Sequence, residues 1–217
     1  LEETIRQIAV WALPVLFAVV LHEVAHGWVA NRLGDPTAAR LGRLTLNPIS
    51  HVDLIGTILI PLFLVVVGAP FIFGYAKPVP VNFHNLGNPK RDMIWVAAAG
   101  PITNIVLAVA SVYLFKAIDG LEHLLPSMLA APLSMMAEGS VKMNIMLAAF
   151  NLLPVPPLDG GRVLVGLAPQ PLSSWVARAE PFGFLIVLTL LMTHTLDFIL
   201  GPFIYFVLRL VQGLVVG

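Results

Sequence analysis

The chain has no cysteine among its 217 residues, so disulfides, iron–sulfur clusters and thiolate catalysis are excluded together. That absence says nothing about redox compartment. Charge is also scarce: Asp, Glu, Lys and Arg make up only 11%, where a soluble domain carries about a quarter. The twelve basic and twelve acidic residues cancel, which leaves no basic excess to hold nucleic acid by its phosphates. No nucleic-acid partner is expected.

Apolar residues fill the space. They make up 58% of the chain, and the mean hydropathy is +0.90. Crossing a bilayer as a helix takes roughly 20 apolar residues. Clear runs extend from Ile8 to about Val29, Met93 to Leu114, Ser140 to about Val155, Phe182 to Leu196, and about Phe198 to Val216. A further stretch, Leu54 to Ala76, is interrupted by Pro61, Gly68, Pro70 and Gly74. The first run reads as a span rather than a cleaved leader, because it continues past a signal core and holds charged residues.

Basic residues in short loops mark the cytoplasmic side. Arg32, Arg40 and Arg43 follow the first span, Lys77, Lys90 and Arg91 precede the second, and Arg162 and Arg178 follow the Ser140 run. The segment from Lys116 to Gly139 instead sets one lysine against Asp119, Glu122 and Glu138. Three basic loops inside and one acidic loop outside then require Leu54–Ala76 to dip in and return. The expected architecture is an all-α polytopic membrane protein with five to six transmembrane helices, a re-entrant hairpin and short extended cytoplasmic-side segments. A tight two-span hairpin is the alternative for residues 54–76. Arg209, inside the last run, either snorkels or faces a neighbour.

Near the inner end of the first span the sequence reads Val20-Leu-His22-Glu23-Val-Ala-His26. Positions four apart share one face of a helix, so both histidines can reach one ion while Glu23 takes a proton from a water on it. This is the zinc-protease HExxH arrangement. Chance produces such a motif in soluble chains, but three ionisable groups within five residues of an apolar span are costly unless paired or functional. Catalytic zinc takes three protein ligands. Asp159 is the strongest candidate for the third, in Asn151-Leu-Leu-Pro154-Val-Pro156-Pro157-Leu158-Asp159-Gly160-Gly161 at the matching depth. A helix-cap role would also explain it. Asp53, flanked by His51 and Gly56, is a second possible ligand, or a group that supports a ligand.

These motifs resemble the site-2 protease family of intramembrane zinc metalloproteases (M50). The resembling residues are His22-Glu23-Val-Ala-His26, Ala99-Gly100-Pro101-Ile-Thr-Asn104, and Asn151-Leu-Leu-Pro154 with Leu158-Asp159-Gly160. Arg43-Leu-Thr-Leu-Asn47-Pro48 and Gly74 to Asn82 are similar to its compact prokaryotic branch, and the loops are too short for an inserted PDZ-like or nucleotide-sensing domain. The resemblance implies one Zn2+ per chain held by His22, His26 and Asp159, with Glu23 activating water. It also implies that Asn151 lies near the substrate backbone or oxyanion, and it places Asn104 in a packing, polar-network or catalytic role. His51 is a candidate donor to the tetrahedral intermediate or a plain interfacial histidine.

The implied substrates are transmembrane segments of other proteins, cut near the cytoplasmic side of a prokaryotic inner membrane, with lipid as the surrounding partner. A monomer suffices for such a site, and the lipid-facing surfaces leave room for an oligomer. The chain reads as a single domain, 1–217, with a catalytic core over about 8–163 and C-terminal helices over about 174–217. A metal transporter or a proteolytically silent scaffold are the competing classes. A transporter usually spreads polar positions along a full path, and a scaffold would be expected to lose Glu23 or a ligand. Lys77-Pro78-Val79-Pro80-Val81 reads either as an extended rim beside the site or as an ordinary interfacial linker.

Overall fold

The computed structural model describes residues 2–68 and 74–216. Its elements are helical, and no β-strand forms among the described residues. In chain order they are α1 (Glu2–Arg32), α2 (Thr37–Arg40), α3 (Ile60–Val66), α4 (Pro89–Gly120), α5 (Ser127–Asn151), α6 (Asp159–Leu167), α7 (Leu172–Arg178), α8 (Gly183–Met192) and α9 (Thr195–Val216). The core is a packing of α1, α4 and α5, with α6 against α4 and α9 against α4 and α5. Backbone polar groups without water must be satisfied within the segment, which is why apolar chains of this kind fold as helices.

Three described stretches are long and apolar enough to cross a membrane: Val10–Arg32, Pro89–Gly120 and Leu172–Met192. Large apolar side chains cover the outer faces, among them Phe17, Val106, Tyr113, Phe184 and Phe198, each more than half exposed. Exposure of so many large apolar side chains suits a surface that meets lipid or protein rather than water. The molecule is an integral membrane protein.

Two boundaries differ from the sequence expectation. The acidic loop expected over 116–139 shrinks to 121–126, because α4 runs on to Gly120 and α5 starts at Ser127. Glu138 and Lys142 dilute the hydropathy of α5, yet they pair one turn apart at 2.5 Å on its exposed side, which suits a helix. The interrupted stretch is helical from Leu54 to Val66, beginning with a wide i→i+5 turn over Leu54–Leu59. It turns at 67–68 and continues without regular structure over 74–82. The expected hairpin tip, Pro70 included, lies outside the described residues. Arg209 stacks over the Tyr205 ring at 5.0 Å.

Candidate metal centre and catalytic cleft

The site starts from a register match between two helices. Ala18, His22 and His26 recur every four residues on α1, and Val96, Gly100 and Asn104 do so on α4, so each trio lines one face. His26 Nδ1 lies 2.7 Å from the Val96 carbonyl oxygen, and His22 Nδ1 lies 2.6 Å from Asn104 Oδ1. The Asn104 amide donates to the Ala18 carbonyl at 3.2 Å. Gly100 lies between these contacts, and a Cβ there would overlap both imidazoles. Only a bare Cα lets the two helices close on the histidines.

Asp159 arrives from α5 and α6. After Asn151 the chain turns through 152–158, with a cis peptide bond between Pro156 and Pro157, and α6 starts at Asp159. A Cβ on Gly160 or Gly161 would overlap backbone atoms of Leu152, Leu153, Val155 and Pro156. The two glycines therefore let the first turn of α6 press onto that loop, which sets Asp159 beside the histidines. The start of α8 packs on the same loop through Gly183, whose Cβ would overlap the Pro156 backbone.

Three donor atoms converge there. His22 Nε2 and His26 Nε2 are 3.0 Å apart, and Asp159 Oδ2 is 3.2 Å from the first and 3.3 Å from the second. All three residues are buried. The Val96 carbonyl can only accept, so neutral His26 carries its proton on Nδ1 and presents a bare Nε2. Asp159 Oδ2 correspondingly has no hydrogen-bond partner despite its close neighbours. A buried carboxylate oxygen facing ring lone pairs is costly unless a cation lies among them. Zinc bound tetrahedrally by two imidazoles and a carboxylate at its usual bond lengths separates its donor atoms by about 3.3 Å. The donor chemistry and the observed spacing fit that ion, and they do not suit the all-oxygen shells of calcium or magnesium.

Glu23, next to His22 on α1, lines the same cavity. Its Oε2 accepts the Val79 N–H at 2.7 Å. Tyr75 and Lys77 donate their N–H groups to the Gly56 and His51 carbonyls at 3.0 and 2.9 Å, so residues 75, 77 and 79 present donors inward in alternation, as extended backbone does. Proline at 78 and 80 leaves no N–H at either position. The rim is thus extended, as one sequence reading had it, but at those two positions it offers only acceptors. Its far end is tied by Asp35, which is fully buried and accepts from Asn82 N–H at 2.7 Å and Asn85 Nδ2 at 2.9 Å. Thr37 donates to it through both its N–H and its hydroxyl. Burial pushes the Asp35 carboxyl up, but these hydrogen bonds outweigh that and hold it below the usual carboxylate range.

The cavity measures about 520 Å³ and has His22, Glu23, His26, Asn151, Asp159 and Arg162 among its polar walls. Val19, Phe150, Phe184 and Val187 supply apolar ones. The Asn151 amide donates to the Leu147 carbonyl of its own helix at 3.0 Å. His51 is buried but is not among the residues lining the cavity; its Nε2 lies 2.9 Å from the Thr45 carbonyl. Asp53 caps the turn at Leu54, accepting from Ile55 and Gly56 N–H, and stands apart from the histidine cluster. Sequence reasoning missed Asn144, Asp35 and the Val79 N–H. For the first, a polar amide within an apolar helical run was the available signal.

Comparison with known proteins identifies the family. The chain is 36% identical over 190 residues to Putative zinc metalloprotease YwhC of Bacillus subtilis, covering 88% of this chain and 83% of that protein. A model of peptidase family M50 matches residues 124–193, the segment that carries Asn151 and Asp159. The chain belongs to peptidase family M50. This M50 chain is also 31% identical over 183 residues to Putative zinc metalloprotease Rip2 of Mycolicibacterium smegmatis, covering 84% of itself and 66% of that protein. Zinc metalloprotease MJ0392 of Methanocaldococcus jannaschii is 24% identical over 156 residues, and the match covers 33% of its length. No solved structure matches the chain.

Proposed function

We propose that this M50 peptidase, a zinc metalloprotease, hydrolyses peptide bonds in or near transmembrane segments of other membrane proteins, with one zinc held by His22, His26 and Asp159. The observation that carries the reading is the shared cavity: the three converging donor atoms and Glu23 face one space of about 520 Å³ inside a helical bundle whose outer faces are apolar. Zinc, when bound, polarises the scissile carbonyl and brings the pKa of water down towards about 7.

The rest of the chemistry belongs to the chain. Glu23 takes a proton from the attacking water and delivers it to the leaving amide nitrogen. The Val79 N–H holds one Glu23 oxygen and leaves the other for that transfer. A transmembrane helix hides its carbonyls in hydrogen bonds, so the substrate must unwind before attack. The Pro80 carbonyl, and the Pro78 carbonyl once it gives up its 3.4 Å contact with Arg43 Nη2, suit N–H groups freed by that unwinding. Asn151, which lines the cavity, turns its amide from the Leu147 carbonyl to the substrate backbone.

The finer topology belongs to the same proposal: five full spans, a re-entrant segment over 54–76, and the site near the cytoplasmic side of a prokaryotic inner membrane. The test is zinc content together with cleavage of a panel of transmembrane-segment substrates in liposomes. Glu23→Gln should keep zinc and lose cleavage by about 100-fold or more. Cleavage that survives Glu23→Gln would refute the mechanism.

A further inference from the structure

The metal ligand His22 lies at one end of a buried chain of side-chain hydrogen bonds that nothing in the proposed reaction uses. Asn104 Oδ1 faces His22 Nδ1 at 2.6 Å. Asn104 Nδ2 donates to Asn144 Oδ1 at 2.8 Å and to the Ala18 carbonyl. Asn144 Nδ2 donates to the Ser140 carbonyl at 2.8 Å and reaches the Ser140 hydroxyl at 3.2 Å. That hydroxyl lies 2.8 Å from the hydroxyl of Ser111. Asn104 and Asn144 are 0% and 1% exposed, so water does not compete for their amides.

We infer that Asn104 and Asn144 are positioning residues for the metal centre: the Asn104–Asn144 relay fixes His22 as the Nδ1–H tautomer, with Nε2 bare towards the ion. The inference rests on the metal site proposed above, and the logic runs from fixed points to the variable one. A backbone carbonyl only accepts, so Ser140 obliges Asn144 to point its NH₂ group there and its oxygen at Asn104. The Ala18 carbonyl and the Asn144 oxygen, both acceptors, then oblige Asn104 to point its own NH₂ group at them. Only its oxygen remains for His22, and an oxygen facing Nδ1 at 2.6 Å requires the ring proton to be there. Two backbone carbonyls on α1 and α5 thus decide the tautomer of a ligand on α1 through two amides. His26 reaches the same tautomer in one step, through the Val96 carbonyl. Without such a partner a neutral histidine can carry its proton on either nitrogen, and partners of this kind are worth roughly 10–100-fold in metal affinity.

The experiment compares Asn104→Leu with Asn104→Asp. Both variants lose the amide, but Asp keeps an oxygen towards His22 Nδ1 and Leu does not. The readout is zinc affinity of metal-stripped protein by competition with a chelator, together with the visible spectrum of the cobalt-loaded form. Asn104→Leu should weaken zinc binding roughly 10–100-fold and alter the cobalt spectrum. Asn104→Asp should bind zinc within a few-fold of wild type, and Asn144→Leu should fall between the two. Equal zinc affinity in Asn104→Leu and wild type, or equal losses in the Leu and Asp variants, would overturn the relay. Wild type that binds no zinc would overturn the metal site itself, and the relay with it. Should Asn104→Leu not accumulate, ¹H–¹⁵N correlation spectra of histidine-labelled, metal-free wild type decide the matter. The Nδ1–H form of His22 is expected, and the Nε2–H form would sink the inference.

Discussion

Gly100 is the position where one added methyl group should separate folding from metal binding. A Cβ there would lie 2.5 Å from His22 Cε1 and 2.6 Å from its Nε2, with His26 Nε2 also in the way. Ordinary contact begins at about 3.5 Å, so in Gly100→Ala either the imidazoles or α4 must move by roughly 1 Å. Zinc bond lengths tolerate about 0.2 Å. The movement exceeds that several-fold, whereas the overpacking cost to the fold is about 1–3 kcal/mol. Zinc affinity should therefore fall by about 100-fold or more, equivalent to about 2.7 kcal/mol, while helix content by circular dichroism stays at the wild-type value. The assay is chelator competition on metal-stripped protein in detergent, run beside a melting curve. Wild-type zinc affinity in a folded Gly100→Ala protein would refute the argument, since it would mean that α1 and α4 do not close on the imidazoles as described.

Other perturbations separate the parts of the site. Asp159→Ala removes one of three donors and should weaken zinc binding by at least about 100-fold; unchanged binding would move the third ligand elsewhere. Val79→Pro deletes the N–H that holds Glu23 between two existing prolines, and should lower kcat by roughly 10-fold with zinc content intact; an unchanged kcat would show that this contact does not serve the base. Asp35 has a depressed pKa, so its stabilisation is present above about pH 3.9, the ordinary Asp value, and is lost as pH falls through its lower folded value. Asp35→Asn should lower the melting temperature at pH 7 and narrow its gap to wild type below about pH 4; a gap that stays constant down to acid pH would contradict the carboxylate's role.

The parts of this molecule legible in its sequence were those set by one helix at a time. His22, Glu23 and His26 announce themselves because four residues make about one helical turn and because ionisable groups are costly in an apolar run. Asp159 was reachable by matching depths, and the paired glycines after it hinted at close packing without showing against what. Gly100 and Asn104 could be named only by resemblance, because what they do depends on how α4 registers against α1. Asn144 drew no attention for the same reason: it matters through Asn104, a partner on another helix. The start of α5 was misplaced because an exposed Glu138–Lys142 pair resembles a loop in composition and a helix only in spacing. His51 looked eligible by its loop, but its ring nitrogen faces the Thr45 carbonyl instead.

That register explains why the glycine–proline–asparagine motif has its particular spacing. Along α1 the relevant groups are the Ala18 carbonyl, His22 and His26; along α4, met in the opposite direction, they are Asn104, Gly100 and the Val96 carbonyl. Each row steps by four residues, the row along which helix ridges interdigitate. Within α4 one position supplies the acceptor for the far histidine, the next yields space for both rings, and the third supplies the acceptor for the near histidine. A small residue continues the α1 row, Ala30, which is fully buried and packs with Val96 of α4, so the backbones can approach without a driving force from water. A single inserted residue between Gly100 and Asn104 would rotate the amide about 100° around α4, turning it away from His22. The motif is therefore a distance along one helix measured in turns of another, and it reads as chemistry only once both helices are in place.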